Sequence, residues 1–461
     1  MKKKEFNFDE EEIRREFEKH KLDYWDFRVG EKKVREIIGW NKEVRRNAVN
    51  LSKGFCARVF IDGNWGFAAS SNFVSIKEII QKAVKLARLK KQKNKISLTI
   101  PKSIKDKKKT PQKINFEDVS DEEKINFIKS LSEKGIKFNN KIKSVMVRYL
   151  EILEKKKFLS QNSFIEQDIS RGSIRSLVSA KSSLGDEEKF IGVGKSGGYE
   201  FTEKIEEKLS EACKRAVKFL DAKKGKPGEF PVLIDGILTG LLVHEALGHA
   251  AEADHIMQGS CCLVGKLGEK LSNENVNVCD DATENNFKSW GSYYYDEEGV
   301  SGSKTYLIKE GVLNSYLHNM ESAGILKNKL TGNARAESVF SMPVIRMSNT
   351  YVEKKDADFN EMLKEIKNGY YMSGSKGGEV DPSSGNFQFS AEDVYLIKNG
   401  EIVVPLKSMS FGGNLLEVLK SISLVGKEYE SEFPGMCGKM GQSVPVSGTC
   451  PNITLKKASI S

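Results

Sequence analysis

The sequence contains no apolar run long enough to cross a bilayer, and the residues after its opening Met-Lys-Lys-Lys are rich in Glu and Asp where a secretory signal would be apolar. These absences predict a soluble, cytoplasmic protein with no membrane partner. The seven cysteines, at 56, 213, 261, 262, 279, 437 and 450, form an odd, scattered set without CxxC spacing. That excludes a secreted-type disulfide framework and a paired-thiol zinc ribbon; adjacent Cys261 and Cys262 read as buried thiols. No repeat of fixed period is visible. The net charge of +10 comes largely from lysines in residues 90–113. This stretch lacks the interleaved aromatics that stack bases, so it reads as a solvated linker or loop and nucleic acid is not the expected partner. Histidine is scarce, with 5 among 461 residues.

What is present points to two domains, because 461 residues exceed one typical core. Lys223-Lys224-Gly225-Lys226-Pro227-Gly228, charged and rich in Gly and Pro, marks the boundary. The fold class expected is α+β: an N-terminal mixed α/β domain over residues 1–225, then a C-terminal antiparallel, β-rich, barrel-like domain over residues 229–461. In the first half, residues 24–29, 34–39 and 55–61 read as strands, with Asp62-Gly63-Asn64 turning the chain into a strand at 65–69. Ser75 and Ser120 each open a helix, Ser75 with Glu78 and Ser120 with Glu123 as capping boxes. Residues 144–153, 158–166, 173–179 and 190–193 suggest an antiparallel meander, and 202–222 an amphipathic helix. In the second half, short β-like runs at 304–308, 344–350, 394–397 and 402–404 are punctuated by glycine.

The chemistry concentrates at Val243-His244-Glu245-Ala246-Leu247-Gly248-His249. Two histidines around a glutamate, inside an apolar run, carry zinc-ligand and general-base chemistry. In HExxH the histidines stand four apart, about 40° around a helix; here they stand five apart, about 140° apart on a regular helix, and could not share an ion. The spacing therefore predicts a helix that bulges between Leu247 and Ala250, with Gly248 as the tolerant position. The plain alternative is a pair of ordinary histidines on a helix over 237–254, but a glutamate buried between them is costly without a compensating cation. A catalytic zinc needs three protein ligands. Glu252, Asp254 and the thiol of Cys437, in the glycine-flanked run Gly435-Met436-Cys437-Gly438-Lys439-Met440-Gly441-Gln442, are all acceptable third donors. The acidic run Asp296-Glu297-Glu298-Gly299 reads as a charged turn, His255 and His318 as lying outside the ligand set, and His20 as carrying no site signal.

The second half resembles the TldD/PmbA family of zinc-dependent peptidases, also called modulators of DNA gyrase. The resemblance rests on four blocks in order: His244 to His249 with Glu252 and Asp254; Gly332-Asn333-Ala334-Arg335-Ala336-Glu337-Ser338 with Met342-Pro343-Val344-Ile345-Arg346-Met347-Ser348-Asn349-Thr350; Gly377-Gly378-Glu379-Val380-Asp381 with Ser384-Gly385-Asn386-Phe387; and Cys437 to Gln442 with Val444-Pro445-Val446. It implies zinc (Zn2+) held by His244, His249 and Cys437, water activated by Glu245, and the TldD-like, metal-bearing type of subunit. It also implies unfolded or flexible peptides as substrates, and a dimer formed with itself or with a related subunit lacking the metal ligands. Two departures stand out: Ala250 replaces the glycine common after the second histidine, and Cys450 brings a rival thiol close in sequence. Glu252 and Asp254 are expected to orient the histidines. Arg335, Arg346, Tyr293, Tyr294 and Tyr295 are candidates to stabilise an oxyanion. The motif is also similar to the HExxGH helix of dipeptidyl peptidase III, but no counterpart of that family's glutamate-bearing ligand helix is found. The remaining alternative is a binding protein modulating a topoisomerase or nucleic-acid complex.

Overall fold

The computed structural model describes residues 9–71, 76–89, 96–183, 185–429 and 434–461. The opening lysines, Ser75 of the first expected capping box and residues 90–95 of the lysine stretch lie outside them. Among the described residues, strands from the two halves of the chain do not share a sheet. The first sheet uses residues 24–196, in strands Tyr24–Trp40 (β1), Glu43–Ile61 (β2), Asn64–Ser70 (β3), Lys105–Lys109 (β4), Ile142–Ser160 (β5), Phe164–Ser182 (β6) and Gly185–Ser196 (β7). Its order is β3-β2-β1-β5-β6-β4, with β7 also paired to β6. The second large sheet uses Gly228–Ile234, Gly369–Asp381, Asn386–Lys398, Glu401–Leu406, Ser410–Asn414, Ile422–Tyr429 and Pro451–Ile460.

Local signals set several of these elements. Asp62 and Gly63 both take positive φ (46° and 85°), as a two-residue hairpin turn requires, and bring β3 back onto β2. Ser120 accepts from Glu123 N–H while the Glu123 carboxylate accepts from Ser120 N–H, which starts the helix Asp121–Lys137. That helix and Ile205–Phe219 bury Ile128, Leu131, Leu209 and Ala216 against Val145, Val147 and Ile174 of the sheet.

Long-range pairing changed other elements. Residues 24–29 and 34–39 form one 17-residue strand, because β1 is laddered along its length by β2 and β5. The run expected at 158–166 straddles a turn, closed by Ser160 N–H on Ser163 O at 3.0 Å. The lysine stretch is not simply a loop. Lys105–Lys109 is an edge strand parallel to β6, where Lys107 pairs with Glu166 at 3.0 Å and the lysines discourage further strand addition. The second sheet is not purely antiparallel either: Gly369–Asp381 runs parallel to Gly228–Ile234, the long intervening segment allowing the crossover, and Asn386–Lys398 pairs with it, Ser410–Asn414 and Glu401–Leu406.

The acidic turn at 296–299 is buried rather than solvated, since it meets the basic face of the first sheet. Arg58 contacts Asp26 at 2.7 Å and Glu298 at 2.8 Å, with all three side chains nearly inaccessible, and Glu297 takes Lys156 at 2.7 Å and Arg28 at 3.4 Å. Asp296 accepts the N–H groups of Glu298, Val300 and Ala334.

Candidate metal centre

Asp235 begins the motif helix by accepting Leu238 N–H at 2.8 Å, and α-helix runs over Gly236–Leu242. The next six residues, Val243–Gly248, are a π-turn, closed by His249 N–H on His244 O at 3.2 Å. The distortion thus begins at Val243, earlier than expected, and takes up the whole interval between the histidines. A wider turn brings residues five apart onto one face, and the two rings stand 5.2 Å apart at 81°. The helix does not continue to 254; a break precedes the short helix Ala253–Met257. Gly248 serves packing more than backbone freedom, because a Cβ there would lie 2.0 Å from Met347 Sδ.

Cys437 reaches this corner on a hairpin of Gly435–Lys439 and Gln442–Val446. Its Sγ is 3.3 Å from His249 Nε2, and donor atoms of His244, His249 and Cys437 all lie within 4.8 Å of one another. With zinc bonds of 2.0–2.1 Å to nitrogen and 2.3 Å to sulfur, tetrahedral donors are about 3.5 Å apart, so the set matches such an ion in size and in donor type. Burial alone would raise the Cys437 thiol, but hydrogen bonds from His244 and His249 hold it down, from 9.0 to about 5. Burial would likewise lower His249, yet its bonds to Cys437 and Glu252 hold it up at about 10. Three Lewis bases meet here, and none can satisfy the others without a shared cation or proton.

Cys450 lies elsewhere. It is buried, accepts Val352 N–H at 3.3 Å, and is pushed up by burial to about 12. Glu252 is fully buried and meets His249 Nδ1 at 3.1 Å, which fixes that ring with Nε2 toward the thiol. Glu252, Asp254 and His255 form a second group of possible ligands, but Lys439 Nζ sits 2.9 Å from Glu252 and 2.7 Å from Asp254, so an ammonium already supplies the charge there. Lys439 was legible only as a member of the final sequence block; its role as counter-ion depends on the hairpin. His318 lies away from the site, buried against Ser322 and lowered by burial to about 4.

His244 and Glu245 border a cavity of about 910 Å³ between the two halves of the chain, with Ile237, Leu241, Met436 and Val446 on its apolar side. Glu245 is about one-third exposed and its Oε2 is 3.8 Å from His249 Nε2. The expected oxyanion donors do not border this cavity. Arg335 donates to Met347 O, Arg346 donates to the carbonyls of Cys437 and Gln442, and Tyr293, Tyr294 and Tyr295 are directed to Gly332 O, Lys109 O and Asp106 respectively. Arg346 braces the thiol hairpin, and Tyr294 and Tyr295 tie the second half of the chain to the first. Asp280, not singled out in the sequence, ties the neighbouring segments together: it accepts from Asn333, Ser348 and Thr350.

Comparison with known proteins bears on the family. Family models described as PmbA/TldA metallopeptidase domain 1, central domain and C-terminal domain match residues 25–87, 114–220 and 227–461. A metalloprotease of Methanocaldococcus jannaschii is 39% identical over 438 residues, 92% of this chain and 94% of its own. A zinc metalloprotease TldD homolog of Saccharolobus solfataricus is 31% identical over 414 residues, 89% of this chain and 90% of its own. In fold, the chain is similar to a Thermotoga maritima protein described as a modulator of a DNA gyrase (TM-score 0.81, 20% identity, 98% of this chain and 100% of that one). It is also similar to TldE of Thermococcus kodakarensis (TM-score 0.79, 20% identity, 98% and 99%). The C-terminal model alone spans half the chain, relatives named metalloproteases match it along nearly its whole length, and the chain belongs to the TldD/PmbA family of metallopeptidases.

Proposed function

We propose that the chain is a zinc-dependent peptidase that hydrolyses peptide bonds in unfolded or flexible peptides, with His244, His249 and Cys437 as metal ligands and Glu245 as the general base. The observation that carries this reading is the convergence of those three donors at a corner whose His244 borders a cavity, with Glu245 beside it on the same wall. When bound, a metal of this class acidifies water and polarises a carbonyl. Glu245 takes the proton from the attacking water and returns it to the leaving amine, a transfer worth about 10²–10⁴ in rate. Glu252 holds the His249 ring, and Lys439 in turn neutralises Glu252 and Asp254. The position of the cavity between the two halves favours extended chains over folded proteins. We further propose a division near residue 225 into an N-terminal and a catalytic domain, and a dimer with itself or with a related subunit lacking the ligands.

The test is elemental analysis of the purified protein together with digestion of an unstructured peptide, with and without chelator. Glu245→Gln is expected to keep its zinc and to lose cleavage by about 10²-fold or more. Near-normal turnover in that variant removes Glu245 as the base.

A further inference from the structure

A charged cluster lies where the two halves meet, and two of its members, Arg215 and Glu392, border the cavity. Glu187 and Lys189 come from β7, Arg215 from the helix Ile205–Phe219, and Glu392 and Asp393 from the strand Asn386–Lys398. Two of the three carboxylates are matched at short range: Asp393 by Lys189 at 2.8 Å and Arg215 at 2.7 Å, and Glu187 by Lys189 at 3.2 Å. Glu392 is left over. It is 3% exposed, its Oε1 accepts Phe190 N–H at 3.2 Å, and Lys189 donates to its backbone carbonyl rather than to its carboxylate. Among the described residues its Oε2 has no hydrogen-bond partner, and the Arg215 guanidinium stands 3.7 Å away. Burial pushes this carboxyl up to about 7, as expected of a group whose cation is missing. Glu392 borders the same cavity as Glu245, and the facing residue is Gly374 at φ +65°, where a Cβ would press on the Glu392 side chain at 3.1 Å.

The geometry points to Glu392 as a subsite for a primary ammonium group of the bound peptide, either its amino terminus or a lysine side chain. Three carboxylates against two cations leave room for one positive charge. A compact ammonium needs only the single unpartnered oxygen, whereas a guanidinium pairs best with two coplanar acceptors and Oε1 is already engaged by Phe190. Gly374 N–H donates to Asp235 Oδ2 at 2.7 Å, and Asp235 starts the helix that leads to Glu245, which ties this wall to the candidate base.

This subsite deepens the peptidase reading and rests on it, so its test separates binding from cleavage. Binding of C-terminally labelled, unstructured peptides is measured on the zinc-loaded, full-length Glu245→Gln protein. The peptides carry a free amino terminus without lysine, an acetylated terminus without lysine, an acetylated terminus with one lysine, and the same with norleucine in its place. An ammonium-bearing peptide is expected to bind about tenfold more tightly than its neutral counterpart, and the pair that shows the gap identifies the source. Adding Glu392→Gln is expected to shrink the gap below about twofold, and Glu392→Asp, with a shorter stem, to leave an intermediate gap. Equal affinities for all four peptides overturn the subsite without any second variant; so does a gap that survives Glu392→Gln. Discrimination without any cleavage by the natural sequence would sink the peptidase reading and leave the subsite standing; cleavage without discrimination would do the reverse.

Discussion

The ion cluster around Arg58 and the corner around Cys437 are both buried, but they differ in kind. At the first, acids meet bases: Asp26 and Glu298 close on one guanidinium, and Glu297 on Lys156 and Arg28. The cluster completes itself and joins the two halves of the chain. At the second, two imidazoles and a thiol meet, all of them donors to a cation, beside a carboxylate facing a cavity. Burial of charge therefore does not mark function here; a local excess of one kind of group does. Glu392 is a smaller instance of the same imbalance.

Replacing Cys437 with Ala should strike hardest at the second region only: elemental analysis should show loss of bound zinc, and peptide cleavage should fall with it. Unchanged zinc there, with loss in Cys450→Ala instead, would exchange the roles of the two thiols. Arg58→Met should do the opposite, costing about 3–5 kcal/mol in denaturant unfolding because it strands two buried carboxylates, while the folded fraction keeps its zinc. Equal loss of zinc per folded molecule would show the two regions to be coupled. Lys439→Met should be milder, weakening zinc about 10- to 100-fold in competition with a chelator, since Glu252 would still touch His249 but lose its counter-ion.

The smallest effect is spectroscopic. In metal-free protein the thiolate ultraviolet band should persist at neutral pH and disappear as pH falls through about 5, and it should be absent from Cys437→Ala but intact in Cys450→Ala. Because folding lowers the Cys437 value from 9.0, the stability it contributes is fully present above pH 9 and is lost as the pH falls through about 5. A thiolate band that survives in Cys437→Ala would contradict this reading.

Much of the site could be read in advance, but unevenly. The five-residue histidine spacing required a deformed helix, and the structure has one, although it begins at Val243 because the whole turn widens instead of a kink forming at Gly248. Arg335, Arg346 and the three tyrosines looked equally available to substrate, yet the packing turns them toward backbone carbonyls and Asp106. A charged side chain carries no sequence mark that says which way it will face. Lys105–Lys109 reads as a solvated run for the same reason: only pairing with β6 makes it a strand.

The sequence by itself determined what is local: the Asp62-Gly63 turn, the Ser120 capping box, and a pair of imidazoles around a glutamate, each governed by neighbours within a few residues. Tertiary structure decided which thiol joins His249 across a separation of 188 residues, which ammonium steadies Glu252, and which carboxylate is left without a cation. Those outcomes depend on chain segments that approach one another only when the sheets have formed, and on the desolvation that makes an unmatched donor or charge costly once they have.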